Sequence, residues 1–265
     1  MALTDHDFEQ LGSLRGMRVF AQIIHDIVND STRDNDSFED KIKEALDAQI
    51  QARDNVVIDK RIREAGLRDS AAALERFEAT PGRGITQDRL DRLSTCEWID
   101  YGQDLVIVGA TGTGKSFLAQ AVAIAACRHK MSARYFRLNQ LADDFDAVAQ
   151  SPGARKALLE ELTRPAVIVI DDFLATDVSA NALTQIFNLL VARENSSTVI
   201  ASQHEPDYWY DVFHDAAIAD AVLSRLANNG TKLTITGEDM RTRDDLQEER
   251  RTLIKASRQR QRAKR

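Results

Sequence analysis

The segment Asp104–Ser116, DLVIVGATGTGKS, decides the predicted fold. It joins a short apolar run to the pattern G-x-x-x-x-G-K-[ST], which requires a buried strand before it and a helix after it. Its glycines let the backbone curl so that N–H groups point inward at a phosphate, and the positive end of the following helix assists. The segment therefore predicts a phosphate-binding loop between a strand and a helix.

Two side chains of this loop have predicted roles in binding ATP and Mg²⁺. Lys115 neutralises the β- and γ-phosphate oxygens, and Ser116 offers a hydroxyl ligand to Mg²⁺, which prefers oxygen donors. The predicted nucleotide-binding residues are the loop itself and the first turn of its helix: Gly109, Ala110, Thr111, Gly112, Thr113, Gly114, Lys115, Ser116 and Phe117.

Short apolar runs recur beyond residue 100 and alternate with helical periods. Five of them predict strands: Asp104–Gly109, Ala133–Leu138, Ala166–Asp171, Thr198–Ser202 and Lys232–Thr236. Runs without polar alternation suit strands that are covered on both faces, as in a parallel sheet flanked by helices. Between the third and fourth runs, apolar residues from Leu183 to Val191 follow helical spacing and predict a covering helix. The fold class is therefore α/β, with a five-stranded parallel sheet.

The third predicted strand ends in two acids, Asp171 and Asp172. This is the form of a Walker B element, in which the first acid holds Mg²⁺ through the water shell of the metal. Asp172 lies where many ATPases carry a Glu that orients the attacking water, and its side chain reaches about 1.5 Å less. We expect slow ATP hydrolysis. The alternative is that Asp172 only bonds to neighbouring backbone.

Two further polar positions are candidates for sensing or contacting the γ-phosphate. Ser202 and Gln203 lie at the tip of the fourth predicted strand, next to the loop in such sheets. Arg225 borders an apolar helical stripe formed by Ile218, Val222 and Leu226. From that edge it can reach into a neighbouring subunit as an arginine finger, or form a surface salt bridge.

The regions outside the sheet differ in pattern and in charge. Residues 38–79 show amphipathic helix spacing, which the segment Ala79–Gly84, ATPGRG, interrupts. We expect a helical N-terminal region at 1–80, an ATPase domain at 81–240 and a basic tail at 241–265. The tail carries a charge of about +6 and the remainder about −13. Such a tail suits either a nucleic-acid-binding arm or a solvated helix end.

Several protein classes do not fit the composition. The first twenty residues are acidic where a signal peptide is basic, and the most apolar stretch, Leu118–Cys127, is too short to span a membrane. We expect a cytoplasmic protein without membrane contact. Cys96 and Cys127 lack metal-binding spacing, and the five histidines include no i, i+4 pair, so we expect no structural metal.

Taken together, five segments resemble the IstB family of helper ATPases in insertion-sequence transposition, which are relatives of DnaC-type helicase loaders. The segments are GATGTGKS, VIVIDD, TVIASQ, DAAIADAVLSRL and TGEDMR, and the likeness runs from about Leu11 to about Arg251. The resemblance implies an AAA+ P-loop NTPase fold without a separate lid domain. It also implies ATP-dependent assembly of homo-oligomers on duplex DNA and activation of a partner transposase.

The resemblance also implies residue roles. Asp171 serves Mg²⁺, and Asp172 is the candidate catalytic acid. Lys115 is also counted among the catalytic residues. Gln203 lies where relatives often carry a sensor Asn, and Arg225 matches the arginine-finger position. Because Gln203 and Asp172 depart from the family pattern, hydrolysis is expected to be inefficient.

DNA-contact residues and the precise biological role stay open at the level of sequence. Arg155, Lys156 and the tail from Arg250 to Arg265 are candidates for DNA contacts. The aromatic content of 6% offers no base-stacking platform, so we expect DNA binding that is largely independent of sequence. The alternatives are a helicase loader, a P-loop kinase acting on a small molecule, and a scaffold that binds ATP without hydrolysing it.

Overall fold

The computed structural model of the chain describes residues 3–212, 220, 223–226 and 229–242. The chain divides into two compact units, residues 1–61 and residues 62–265. Most of the predicted basic tail, including Arg250–Arg265, lies outside the described residues, as do Ile218 and Val222 of the predicted apolar stripe.

The first unit is helical and has a small core of its own. Helices α1 (Asp5–Ser13) and α2 (Arg18–Val28) precede α3 (Phe38–Glu64), which starts in this unit. A capping box begins α1, because Thr4 and Asp7 bond each other's backbone N–H groups. The core consists of buried and partly buried apolar side chains from all three helices: Phe8, Phe20, Ile23, Ile24, Ile42 and Ala45.

Helix α3 ends well before the helical pattern predicted up to residue 79. Gly66 has a φ of 70°, the left-handed conformation that commonly follows the end of a helix. Residues 65–79 then contain no α-helix, and their apolar side chains pack into the core of the second unit: Ala65, Ala72, Leu74 and Phe77. The two units therefore divide at residues 61 and 62, earlier than the expected boundary at 80.

The second unit is built around a parallel sheet of five strands, as the sequence predicts. The strands are β1 (Asp104–Gly109), β2 (Ala133–Arg137), β3 (Val167–Phe173), β4 (Ser197–Ser202) and β5 (Gly230–Ile235). Their order is β2-β3-β4-β1-β5, and every pairing is parallel. Consequently β1 lies between β4 and β5, and the loop after β1 opens at the carboxyl edge of the sheet, where ligands bind in such folds.

Helices cover both faces of the sheet. They are α4 (Gln87–Ser94), α5 (Glu97–Asp100), α6 (Lys115–Arg128), α7 (Leu138–Ala147), α8 (Pro152–Thr163), α9 (Ala180–Ala192) and α10 (Pro206–Val212). Apolar side chains of α6 and α4 fill one face, and those of α7 and α9 fill the other. Every residue from Leu118 to Cys127 is buried, so α6 is covered on all sides and lies at the centre of its layer. Within the described parts of the chain, no helix is both long and apolar enough to cross a membrane.

Gln120 is a buried polar residue of α6 that binds the segment following α3. Its Oε1 accepts hydrogen bonds from the N–H groups of Arg68 and Asp69, both at 2.8 Å. Its Nε2 donates to the carbonyl of Ser116 at 3.0 Å. Because only 5% of this side chain is exposed, the bonds are sheltered from water. Gln120 therefore attaches the segment around residue 68 to the first turn of α6.

Candidate nucleotide-binding site

The predicted phosphate-binding loop lies between β1 and the N-terminus of α6. Gly112 and Gly114 have φ values of 86° and 99°, which glycine adopts at no steric cost. Gly114 is the N-cap of α6, so the unpaired N–H groups of the first helical turn are directed into the loop. A helix of 14 residues beginning at this point adds the positive end of its dipole, which favours an anion. This backbone suits a phosphate group.

Side chains in the loop hold its shape. Thr113 is buried, and its hydroxyl donates to the carbonyl of Ala110 at 2.8 Å. Lys115 donates from Nζ to the same carbonyl, also at 2.8 Å. Burial lowers the pKa of Lys115, while the nearby carboxylates of Asp171 and Asp172 act in the opposite direction. The ammonium group is therefore within electrostatic reach of the acids that the sequence assigned to the same site.

Asp171 lies at the end of β3 and is only 1% exposed. Its Oδ1 accepts the N–H of Asp172 at 2.8 Å, and its Oδ2 accepts the hydroxyl of Tyr135 at 2.6 Å. Burial raises the pKa of Tyr135, and the negative charge of Asp171 raises it further. The phenol is therefore a protonated donor, and both oxygens of the carboxylate are held in place. Tyr135 was not among the residues singled out in the sequence.

Asp172 occupies an irregular point of β3. Its φ of 54° is unusual for a residue other than glycine, and the pairing of β3 with β4 shifts register between Ile170 and Phe173. The side chain is 48% exposed and lies 3.2 Å from Nε of Arg137. Burial raises the pKa of Asp172, and the charge of Asp171 adds to that increase. The bulge thus turns the second acid outward, towards water and Arg137.

The two candidates for sensing the γ-phosphate, at the end of β4, have different environments. Ser202 is fully buried, and its hydroxyl donates to the carbonyl of Phe173 at 2.8 Å and accepts the N–H of His204 at 3.1 Å. Both bonds go to backbone, so Ser202 supports the strand end and is unsuited to sensing a phosphate. Gln203 is exposed and accepts a hydrogen bond from the hydroxyl of Thr111 at 3.1 Å. The structure therefore brings Gln203 to the phosphate-binding loop.

Arg225 is not directed outward as the helical stripe suggested. Its side chain is 14% exposed, and it pairs with Asp104 through Nε at 2.7 Å and through Nη2 at 2.8 Å. The same guanidinium donates to the carbonyls of Leu190 and Ser196. Asp104 begins β1, so these contacts lie at the amino edge of the sheet, within one subunit. The sequence offered a surface salt bridge as the alternative role of Arg225. The structure shows a salt bridge, but it is buried and not at the surface.

Two segments that were not assigned to the nucleotide site also contact the loop. Arg83 donates to the carbonyl of Thr113, and its guanidinium carbon lies 4.4 Å from the centre of the Phe77 ring. After β5, the N–H of Met240 donates to the carbonyl of Gly112 at 3.0 Å. The carboxylate of Asp239 packs so closely on Gly112 that a Cβ there would overlap it. The segment TGEDMR, which contains Asp239 and Met240, contributed to the family resemblance but was assigned no contact with the loop, and no motif pointed to Arg83.

The donor set at the loop suits Mg²⁺. Ser116 offers a hydroxyl and Asp171 a carboxylate fixed by two hydrogen bonds, and Mg²⁺ completes such sites with phosphate oxygens and water. No cluster of three or more His, Cys, Asp or Glu side chains suited to a metal occurs in the described ranges. Phe117, the last residue of the predicted nucleotide set, is partly buried and packs against the apolar core.

Of the candidate DNA contacts, only Arg155 and Lys156 belong to the described part of the chain. Arg155 and Lys156 lie on α8, and Lys156 is exposed with Glu160 at 3.8 Å. A role for these residues in DNA binding stays a prediction.

Comparison with known proteins identifies relatives over nearly the whole length. A protein of Sinorhizobium fredii, named for an insertion sequence and for ATP binding, is 31% identical over 88% of this chain and 92% of its own. A Mycobacterium tuberculosis protein, named for ATP binding in an insertion sequence, is 26% identical over 74% of this chain and 78% of its own.

Solved structures share the fold at low sequence identity. DnaA from Aquifex aeolicus bound to AMPPCP has a TM-score of 0.52 and 17% identity, covering 65% of this chain and 52% of its own. DnaI has a TM-score of 0.51 and 17% identity, covering 64% of this chain and 90% of its own. This chain thus spans about half the length of the DnaA chain that it matches. These similarities concern the AAA+ P-loop fold.

The profile of the family described as IstB-like ATP binding protein matches residues 10–248. That range includes the loop after β1, the two acids at the end of β3 and the segment after β5. The chain therefore belongs to the IstB-like family of ATP-binding proteins associated with insertion sequences.

Proposed function

We propose that this protein is an ATP-hydrolysing helper of DNA transposition that assembles as oligomers on duplex DNA and activates a partner transposase. The observation that carries the proposal is a phosphate-binding loop with Lys115, Asp171 and Gln203 at the same end of the sheet, in a chain whose relatives are named for insertion sequences. Assembly on DNA, oligomerisation, the transposase and a cytoplasmic location are parts of this proposal.

The proposed chemistry assigns distinct tasks to the residues at the carboxyl edge. The N–H groups between Gly112 and Lys115 bind the β-phosphate, and the Lys115 ammonium neutralises the β- and γ-oxygens. Ser116 and Asp171 hold Mg²⁺, which neutralises charge on the phosphates when bound. Asp172 and Gln203 are assigned to orient the attacking water, because they adjoin Phe173 and Ser202, which are paired across β3 and β4.

Arg225 remains our candidate for an arginine supplied to the site of a neighbouring subunit. In the described structure its guanidinium binds Asp104, so the trans role requires these contacts to be exchanged for phosphate contacts on assembly. This requirement, together with the short side chain of Asp172, supports slow hydrolysis by the isolated protein and stimulation by DNA or the transposase.

The site favours an ATPase over a small-molecule kinase. A kinase of this class needs a mobile arginine-rich lid, for which the chain between β3 and β4 is the candidate region. In this structure, which describes all of residues 174–196, α9 packs its apolar side chains into the core, and Arg193 is buried. These residues therefore do not offer a lid.

The test is the size of the complex formed with duplex DNA, measured by mass photometry with and without ATP and Mg²⁺. We expect a large complex that requires DNA and nucleotide together and that Lys115→Ala abolishes. Lys232→Ala, which removes an exposed lysine of β5 paired with Glu205, serves as the matched control and should assemble normally. A monomer indifferent to nucleotide would contradict the proposal.

A second experiment separates the helper from a helicase loader. The protein, with ATP and DNA, is incubated with the transposase of its element and with a replicative helicase, and the bound proteins are recovered. Recovery of the transposase supports the proposal. Recovery of the helicase without the transposase would favour the loader, whose fold is of the same kind.

A further inference from the structure

Tyr135 is buried in β2, and its hydroxyl is directed at the acid that ends β3. The strands pair in parallel, with Tyr135 opposite Val169 and Arg137 opposite Asp171, so the tyrosine reaches diagonally along the sheet to the carboxylate. The distance of 2.6 Å between Oη and Oδ2 is that of a strong hydrogen bond to a charged acceptor. No motif of the nucleotide site includes this residue.

The backbone of Tyr135 is fixed as well as its side chain. Strand β2 is an outermost strand of the sheet, and the N–H groups on its outer side lack a neighbouring strand. The N–H of Tyr135 instead donates to the carbonyl of Ala65 at 2.7 Å. With 5% of the residue exposed, the ring cannot leave its position without disturbing the core. The hydroxyl that bonds Asp171 therefore belongs to a side chain whose position is fixed.

The two hydrogen bonds to Asp171 fix the orientation of its carboxylate plane. Tyr135 holds Oδ2 and the N–H of Asp172 holds Oδ1, so rotation about the side-chain bond would break both hydrogen bonds. An ionised carboxylate accepts about four hydrogen bonds, and two acceptor directions remain for water molecules of a metal ion. Groups that orient metal ligands in this way typically change metal affinity about 10- to 100-fold when removed.

We propose that Tyr135 is a positioning residue of the Mg²⁺ site, which orients Asp171 so that Mg²⁺ binds with the nucleotide. The inference rests on the proposed function of Ser116 and Asp171 as the residues that hold the metal. It assigns a role in metal binding to β2, a strand that carries none of the predicted nucleotide residues.

The test compares the binding of a fluorescent ATP analogue over a range of free Mg²⁺, starting from EDTA. For Tyr135→Phe we expect affinity without Mg²⁺ within about twofold of the unsubstituted protein. Mg²⁺ should change the affinity for the analogue, and the Mg²⁺ concentration that produces half of this change should be roughly 10- to 100-fold higher for Tyr135→Phe than for the unsubstituted protein. Tyr101→Phe, which removes the hydroxyl of a tyrosine that is 76% exposed, is the matched control and should respond like the unsubstituted protein.

The outcomes separate this inference from the proposed function. If Asp171→Asn and the unsubstituted protein both lack a response to Mg²⁺, the proposed metal site is wrong. If the unsubstituted protein responds, Asp171→Asn does not, and Tyr135→Phe responds normally, the role of Tyr135 is wrong. A tyrosine that is only structural would weaken binding equally with and without Mg²⁺.

A second measurement covers the case in which Tyr135→Phe does not fold. Site-specific incorporation of 3-fluorotyrosine at position 135 keeps the hydroxyl and nearly the same volume. Its ¹⁹F resonance should move when Mg²⁺ is added to the nucleotide-bound protein, and 3-fluorotyrosine at position 101 should not respond. A resonance at position 135 that stays unchanged would overturn the inference.

Discussion

The two edges of the sheet both contain charged residues, but they hold them differently. At the amino edge, Asp104 accepts hydrogen bonds from Arg225 and from the N–H of Thr198, and its side chain is fully buried. Arg193 nearby donates to the carbonyls of Leu162, Pro165 and Ser197. At the carboxyl edge, by contrast, Asp172 is half exposed and lies against one partner, Arg137.

The difference indicates which charges stabilise the fold and which are available to a ligand. Burial lowers the pKa of Arg193 to about 10, which still leaves its guanidinium protonated at neutral pH. A buried network with several bonds per charge stabilises one arrangement, and losing a member leaves another charge without a partner. Exposed acids with single partners can change partners at little cost. Arg225 is the residue for which this comparison and the proposed trans role conflict.

The largest expected effect concerns Arg225 and decides that conflict. With DNA present, Arg225→Ala should lower ATP hydrolysis roughly 10³- to 10⁵-fold while ATP binding is retained, because an arginine finger contributes about that much. Mixing this variant with Asp172→Asn, which should keep ATP binding and therefore assembly, should restore part of the activity, since the second variant still offers its Arg225 to a neighbour. Without recovery on mixing, Arg225 would be a residue of the fold alone.

Asp172→Asn should lower hydrolysis roughly 10²- to 10⁴-fold, the range for a group that assists proton transfer. The amide keeps the shape of the side chain, so binding of ATP and the unfolding transition should stay unchanged. Steady-state phosphate release and nucleotide binding provide the two measurements. Unchanged turnover would remove Asp172 from catalysis and favour its alternative role as a structural acid.

Asp104→Ala tests whether the amino edge stabilises the fold. It removes the partner of a buried guanidinium, so the free energy of unfolding in urea should fall by about 3–5 kcal/mol. Asp88→Ala, which breaks an exposed pair with Arg92 on α4, is the matched control and should change it by less than about 1 kcal/mol. Equal effects of the two substitutions would contradict the distinction between the edges.

The smallest effect is expected for Arg137→Ala at the carboxyl edge. Its pair with Asp172 is exposed to solvent, so the free energy of unfolding should change by no more than about 1 kcal/mol. A double-mutant cycle with Asp172→Ala isolates the coupling between the two side chains. A coupling of several kcal/mol would place this pair with the buried network of the amino edge.

Much of the fold and half of the site could be predicted from sequence. The loop after β1 and the acids after β3 were predictable because a short motif dictates the local backbone and the ends of parallel strands meet at one edge. The role of Tyr135 depends on the register of β2 against β3, which its own strand does not encode. Arg83 lies in a segment that looked like a boundary, and its contact with Thr113 joins residues far apart in sequence.

The direction of the Arg225 side chain shows a second limit of prediction from sequence. A helical stripe predicts which side chains are buried but does not identify the partner of a charged residue at its edge. Asp104 begins a predicted strand, and nothing local marks it as the acid that receives a guanidinium from residue 225. The end of α3 was similarly missed, because the apolar residues after Gly66 continue a helical pattern while packing into a different core.

The contacts of Gln120 determine where this protein can be divided or recombined. A fragment that starts at residue 81 would lose Arg68 and Asp69, leaving the buried Oε1 of Gln120 without both of its donors. A fragment that starts at residue 62 keeps them, together with the apolar side chains between Ala65 and Phe77. Chimeras that exchange N-terminal regions between members of this family should therefore be joined within α3, because the second unit includes residues 62–80, which precede the predicted start of the ATPase domain at residue 81.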